Sequence, residues 1–170
     1  RAAFGAEVVA EIRRRTRPDF PIIFRFSQWK SQDYAARIAE TPDELEQMLR
    51  PLAEAGVDIF HASQRRFWEP AFDGSDLNLA GWAKRVTGRA SITVGSVGLD
   101  GDFLASLTKG ASGIPSARRM ERLQVMLADG AIDLVGVGRA LLADAQWPEK
   151  FRDGRTDFEP FEVGKLATLD

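Results

Sequence analysis

The chain has 170 residues, a formal net charge of −2 and no cysteine. This length suffices for one domain with a sizeable core, and the small charge gives no general attraction to nucleic acid or to an acidic membrane. Without cysteine there are no disulfides and no thiolate metal sites, and no apolar run approaches the roughly 20 residues of a membrane span. We therefore expect a cytoplasmic protein that binds neither nucleic acid, membrane nor metal.

The first 60 residues alternate between helical and strand patterns. An apolar residue at every fourth position predicts a helix over 2–15, and the nearly continuous apolar run 21–27 predicts a buried strand. A second helix is expected to begin after Thr41, which precedes a proline and a glutamate as in a capping box, and to end at Gly56. A strand at 57–61 follows it.

The second half continues this alternation with longer irregular segments. A long loop covers 62–76, and another irregular segment spans 99–115, where Phe103, Leu104 and Leu107 predict a further short helix. The remaining predicted elements, in order, are a short helix ended by Gly88, a strand at 91–97, a helix capped by Ser116 and ended by Gly130, a strand from Ile132 and a helical stretch at 141–151.

Three residues stand out as candidates for a site. Arg25 is a charge inside the apolar strand 21–27, so it either faces a ligand at the strand end or pairs with a carboxylate. His61, the only histidine in the chain, is either a hydrogen-bonded structural residue or a ligand contact. Trp68 lies in the aromatic loop 62–76, and long loops of this kind are often functional, although they also pack their own rings on the scaffold.

Two predicted strands end in glycine-rich turns. Gly95, Ser96 and Val97 lie in the first turn, and Gly138 with Arg139 lies in the second. Glycine lets the backbone approach an anion closely, and a guanidinium offers a fork that matches phosphate oxygens. We therefore predict that the two turns together hold one phosphate group.

The order of elements indicates the fold class. Strands alternating with helices predict an α/β fold with a parallel sheet and right-handed crossovers. Four such units fit half of an eight-stranded TIM barrel or an open doubly wound sheet. The dinucleotide fingerprint G-x-G-x-x-G is incomplete, because GVGRAL at 136–141 lacks the third glycine. Barrels build phosphate sites from the loops after strands 7 and 8, so we predict the second half of a (β/α)8 TIM barrel.

Several segments together carry a family resemblance. They are 4–14, 18–21, 24–27, 55–58, 93–98, 133–139 and 142–148. In combination they resemble the C-terminal half of the Old Yellow Enzyme family, the FMN-dependent NADH:flavin oxidoreductases. The resemblance covers about residues 1–155, and 156–170 is predicted to be a polar tail. It implies that 1–170 is the C-terminal half of an FMN-binding TIM barrel and a piece of a longer polypeptide.

The resemblance also implies cofactors and residue roles. FMN would be reduced by NADH or NADPH, and hydride would pass to an activated alkene or a similar small-molecule acceptor. Arg25 would lie against the pyrimidine edge of the flavin, where a fixed cation favours hydride acceptance. His61 and Trp68 would border the substrate side. The implied cofactor-binding residues are Arg25, Gly95, Ser96, Val97, Gly138 and Arg139.

The chain departs from the family pattern in two respects. A second glycine is common where Ser96 stands; serine keeps the backbone N–H and adds a hydroxyl. The family's substrate-anchoring pair and proton-donating tyrosine belong to its N-terminal half, so the resemblance assigns no catalytic residue to this chain.

Two other functions remain open from the sequence. One is another phosphate-binding barrel enzyme, of aldolase or isomerase type, which would need a catalytic lysine or glutamate at a strand end. The other is a non-catalytic half-barrel. Because open strand edges need covering, either the missing N-terminal half or a second copy of the chain would then be the partner.

Overall fold

The computed structural model of the chain describes residues 2–30, 33, 35–101, 108 and 111–168. The short helix predicted from Phe103, Leu104 and Leu107 lies outside these residues. In chain order the elements are α1 (Ala2–Arg15), β1 (Ile23–Ser27), α2 (Pro42–Ala55), β2 (Ile59–Ser63), α3 (Leu79–Thr87), β3 (Ala90–Val94), β4 (Ala111–Ser112), α4 (Ala117–Ala128), β5 (Leu134–Val135), α5 (Arg139–Ala143), α6 (Trp147–Arg152), β6 (Phe161–Glu162) and a 3₁₀ helix (Val163–Thr168).

Four strands form one parallel sheet in the order β1-β2-β3-β5. Helices connect successive strands, so the prediction of an α/β fold built from four βα units is confirmed. The register places Arg25 opposite His61 and Ser27 opposite Ser63. All four strands run in the same direction, so their carboxyl ends lie along one edge of the sheet.

The two faces of the sheet differ in burial. Alternate residues of a strand point to opposite faces. Phe60 and Thr93 belong to the face that the helices cover, and both are fully buried. Ile23 and Leu134 belong to the other face and are 52% and 48% exposed. The uncovered face corresponds to the inside of a barrel, and it carries Arg25.

Helix ends follow the turn chemistry of the sequence. The Thr41 side chain accepts a hydrogen bond from the Glu44 N–H, and Gly56 ends α2 with φ 119°. Ser116 takes the position before α4, but its side chain makes no cap hydrogen bond. Within the described part of the chain, no helix combines the length and apolarity that crossing a membrane requires.

Carboxylates tie the amino ends of the strands in two equivalent places. Asp58, before β2, accepts the backbone N–H of Ile22 at 2.8 Å. Asp133, before β5, accepts the backbone N–H of Ser91 at 2.9 Å. Each carboxylate also accepts a hydrogen bond from a basic side chain at the end of a helix, Arg13 for the first and Lys84 for the second.

The segment predicted to be a polar tail packs on the rest of the chain. Phe158 and Phe161 are buried, and β6 pairs with β4 in antiparallel fashion. Two isolated aromatic residues create no periodic pattern, so this packing cannot be predicted from the sequence.

Candidate functional site

The turn after β3 has an unusual backbone. Gly95, Ser96 and Gly98 have φ values of 139°, 52° and 72°. A Cβ on Gly95 would lie 2.5 Å from the Gln64 carbonyl oxygen, so only glycine fits. Consecutive residues in such conformations form the backbone concavities that bind anions.

Ser96 is the non-glycine residue in this turn with a left-handed backbone. Its hydroxyl donates to the Arg65 carbonyl oxygen at 2.8 Å. The hydroxyl that serine adds is therefore directed at the protein, and it ties the turn after β3 to the loop after β2. The contribution to an anion that remains from this residue is its backbone N–H.

The turn after β5 lies next to the first. The Gly136 N–H donates to the Thr93 carbonyl oxygen at 2.7 Å. A Cβ on Gly136 would lie 3.2 Å from the Val94 Cβ, so glycine allows the two strand ends to approach closely. Gly138 immediately precedes α5, and Arg139 is its first residue.

Both turns line one pocket of about 190 Å³. Its lining includes all five residues predicted to hold a phosphate, which are Gly95, Ser96, Val97, Gly138 and Arg139. The structure therefore brings the two predicted turns together on one site. Trp29, Gln64 and Arg65 also line the pocket, and the sequence analysis missed them. Gln64 and Arg65 directly follow β2, and this strand-end position was the signal that could have found them.

Arg25 lies on the uncovered sheet face and is exposed. Its Nη1 lies 2.6 Å from His61 Nε2, and its Nη2 donates to Ser63 Oγ at 3.0 Å. The guanidinium therefore has two uncharged partners, an imidazole and a hydroxyl. Among the ion pairs of the described residues, none joins Arg25 to a carboxylate.

His61 lies between Arg25 and the pocket. A Cβ on Gly136, which lines the pocket, would be 3.6 Å from His61 Nε2. Burial lowers the pKa of the half-buried imidazole, and the positive charge of Arg25 lowers this pKa further. The imidazole is therefore neutral at neutral pH, and the chain carries a net positive charge at this position.

Trp68 makes contacts within the protein. Its ring packs edge-to-face on Phe67 with the centroids 5.2 Å apart, and the guanidinium of Arg119 lies 3.8 Å from its centroid. Trp68 does not belong to the described lining of the pocket. Its assignment to a substrate side stays a prediction.

Residues that follow β5 pack against the Arg139 side chain. The Arg139 guanidinium lies 5.7 Å from the centroid of the buried Phe161 ring. Lys150 Nζ donates to Asp144 Oδ2 at 2.8 Å, and both side chains are at least nine-tenths buried. This ammonium group lowers the pKa of the Asp144 carboxyl. Residues 139–161 thus form a closely packed support for the second turn.

The chain was compared with protein-family models, with known sequences and with solved structures. No protein-family model matches the chain. An NADH oxidase of Thermoanaerobacter brockii is 31% identical over 163 residues, which are 91% of this chain and 21% of that protein. The structure superposes on morphinone reductase with a TM-score of 0.57 at 20% identity, over 93% of this chain and 36% of that chain.

A 2-naphthoyl-CoA reductase in complex with 2-naphthoyl-CoA superposes with a TM-score of 0.60 at 18% identity. This match covers 94% of the present chain and 22% of the reductase. The chain therefore spans between about a fifth and just over a third of the length of these proteins. The four βα units match part of the barrel of such enzymes, which confirms the predicted fold class.

Proposed function

We propose, since the chain belongs to the Old Yellow Enzyme family of NADH:flavin oxidoreductases, that it forms the part of such an enzyme that holds FMN by its phosphate. The observation that carries the proposal is the shared pocket, which places the glycine-rich turn after β3 and Arg139 on one site. A bound FMN would supply hydride transfer from NADH or NADPH to an activated alkene or a similar acceptor.

The chemistry of the pocket fits a phosphate. Gly95 provides bare backbone where a side chain would collide with the Gln64 carbonyl. Arg65 and Arg139 contribute positive charge, and no carboxylate residue occurs in the lining that the described residues form. A dianion placed there would meet backbone N–H groups and guanidinium donors, which are the groups that bind phosphate in proteins.

The position of Arg25 fits the role of a cation beside the flavin ring. Arg25 lies on the uncovered face, and its partner His61 approaches the side of the pocket at Gly136. A cation at this place would stabilise negative charge that develops on a bound ring system. The same residue has no such task in a half-barrel that serves only as a structural module.

The remainder of the enzyme is part of the proposal. We infer that the catalytic acid and the substrate-anchoring residues lie in the portion of the longer relatives that this chain does not span. That portion, or a second copy of the chain, would cover the sheet face on which Ile23 and Leu134 are exposed. The likeness to an NADH oxidase over 91% of the chain favours this function over an aldolase or isomerase.

The test is the spectrum of the purified full-length protein that contains this chain. We expect a yellow protein that releases FMN when it is denatured and that bleaches when NADH or NADPH is added without oxygen. A colourless protein that takes up no added FMN would contradict the proposal. Release of riboflavin instead of FMN would contradict the phosphate site while leaving a flavin enzyme in place.

A further inference from the structure

We propose that His61 is a positioning residue, which as a neutral imidazole accepts a hydrogen bond from Arg25 and holds that guanidinium in place beside the flavin. The proposal rests on the proposed function for the identity of the ligand, but the His61–Arg25 contact itself belongs to this chain alone. Arg25 and His61 are register partners on the parallel strands β1 and β2, and their side chains are in direct contact.

The contact defines the protonation state of the ring. A guanidinium has donors and no acceptor. Arg25 Nη1 lies 2.6 Å from His61 Nε2 and 3.2 Å from His61 Nδ1. A ring nitrogen that accepts a hydrogen bond from this donor carries no proton, so the contact requires a neutral imidazole with one unprotonated nitrogen. A doubly protonated ring would place two cations in contact and would release Arg25.

An uncharged partner leaves the positive charge of Arg25 available to attract a ligand. A carboxylate in place of His61 would compensate the charge of Arg25 and weaken its attraction for a ligand that becomes negative. The imidazole fixes the direction of Nη1, and Ser63 Oγ fixes Nη2 at 3.0 Å. Both partners are uncharged, so the orientation is secured while the positive charge stays available.

The surroundings favour the neutral ring. Among the described residues, Arg25 on β1 is the charge that acts on the ring. Its register partner on β3 is Ile92, and Gly136 approaches it after β5; neither has a titratable side chain. Burial and the charge of Arg25 both lower the pKa of His61. As the pH falls through that pKa, His61 becomes protonated and Arg25 is displaced, so the arrangement is sensitive to acid.

The first measurement follows the carbon-bound ring protons of His61 by NMR in the full-length protein without flavin. The His61 signals are identified by their loss in His61→Asn. We expect a midpoint below that of an unperturbed histidine in the wild-type chain, and a higher midpoint in Arg25→Met. An exposed arginine on helix α2 gives the matched control: Arg50→Met removes the same charge and leaves the midpoint where it was.

An unchanged midpoint in Arg25→Met would overturn the proposal, and so would a wild-type midpoint at or above the unperturbed value. Because Arg25 is exposed, we expect its replacement to leave the fold intact, which the dispersion of the NMR spectrum checks. The titration then gives a decision whether or not the protein binds FMN. Failure of the flavin proposal and failure of this contact are therefore distinguishable.

The second measurement asks whether the contact matters for the ligand. In the full-length protein we expect His61→Leu to lower the reduction potential of bound FMN, because Arg25 loses its orientation. His61→Asn retains a neutral acceptor and should restore most of the wild-type potential. Equal potentials in wild type and His61→Leu would overturn the positioning role. If His61→Leu fails to fold, the reduction potential of bound FMN is compared between His61→Asn and the wild type at neutral and at acid pH. The two potentials should agree at neutral pH. At acid pH the potential of the wild type should change and that of His61→Asn should not.

Discussion

The two ends of the four-stranded sheet are built on different principles. At the amino end, Asp58 and Asp133 occupy equivalent places, and each joins a backbone N–H to a basic side chain from a helix. Both of these carboxylates therefore meet an opposite charge. At the carboxyl end, Arg25 meets an imidazole and a hydroxyl, and the chain turns through left-handed residues around an open pocket.

We interpret this difference as a division between an end that stabilises the fold and an end that carries the proposed ligand site. Amino-end charges satisfy each other and close the fold, which in barrels is the usual role of that end. At the carboxyl end, Ser96 has a strained left-handed backbone and position 95 is a glycine. Neither feature by itself increases the stability of the fold. The following substitutions test this division, in order of decreasing expected effect.

Gly95→Ala should have the largest effect. It forces a side chain into a backbone with φ 139° and against the Gln64 carbonyl oxygen. Strain and overpacking of about 1–3 kcal/mol each together predict a loss of about 4 kcal/mol in the free energy of unfolding, measured by urea titration. The matched control is Gly164→Ala, where a Cβ meets nothing within 4 Å. Equal stability of the two variants would contradict the account of this turn.

Asp144→Asn should come next, because it removes the buried counter-charge 2.8 Å from the Lys150 ammonium and leaves the exposed Asp157 carboxylate at 4.0 Å. We expect a loss of about 3 kcal/mol at neutral pH. The Lys150 ammonium lowers the folded-state pKa of Asp144, so the pair stabilises the protein above the unfolded pKa of about 3.9. This contribution disappears as the pH falls through the folded pKa.

Unfolding free energies at neutral and strongly acid pH check this prediction. The difference between the wild type and Asp144→Asn should shrink as the pH is lowered. Asp153→Asn, which breaks an exposed pair with Arg152, is the matched control and should change stability little at any pH. A pH-independent difference for Asp144→Asn would contradict the role given to the buried pair.

Asp133→Ala tests the amino end. It removes the acceptor of the Ser91 N–H and of Lys84, and we expect a loss of about 2 kcal/mol in the free energy of unfolding. FMN binding by the folded variant should be unchanged, because Asp133 lies at the opposite end of the strand from the pocket. Weaker FMN binding by folded Asp133→Ala would break the separation between the two ends.

Ser96 should give the smallest effects. Ser96→Ala loses the hydrogen bond to the Arg65 carbonyl oxygen and retains the left-handed strain, so we expect about 1 kcal/mol of destabilisation. Ser96→Gly loses the same bond but relieves the strain, and should therefore be more stable than Ser96→Ala. The reverse order in urea titrations would show that φ 52° is not strained at this position.

The sequence predicted what depends on local chemistry. Helix α2 is capped by Thr41 and Gly56 as expected, because caps are made by neighbouring residues. The glycine-rich turns were found for the same reason. Strand β2 begins two residues later than predicted, since the Val57 N–H still bonds to the Leu52 carbonyl of the preceding helix. Local patterns do not show such competition for one backbone group.

Features that depend on register or distant packing were not predictable. The pairing of Arg25 with His61 requires that β1 and β2 align residue for residue, and their 36-residue separation carries no signal of this. The buried position of Phe161 behind Arg139 depends on how the chain after 155 folds back. The sequence predicted that Arg25 either faces a ligand or pairs with a carboxylate. Its partners among the described residues are His61 and Ser63, and the ligand contact stays a prediction.

The most direct test of the central claim compares FMN with riboflavin, which lacks the phosphate, in the protein that carries this chain. Arg139→Ala should weaken FMN binding at least about tenfold, since a hydrogen bond to a charged group contributes about 1.5–3 kcal/mol. Riboflavin binding should stay the same, and Arg50→Ala should affect neither ligand. Equal losses for FMN and riboflavin, or no loss for either in Arg139→Ala, would contradict the claim that this pocket holds the phosphate.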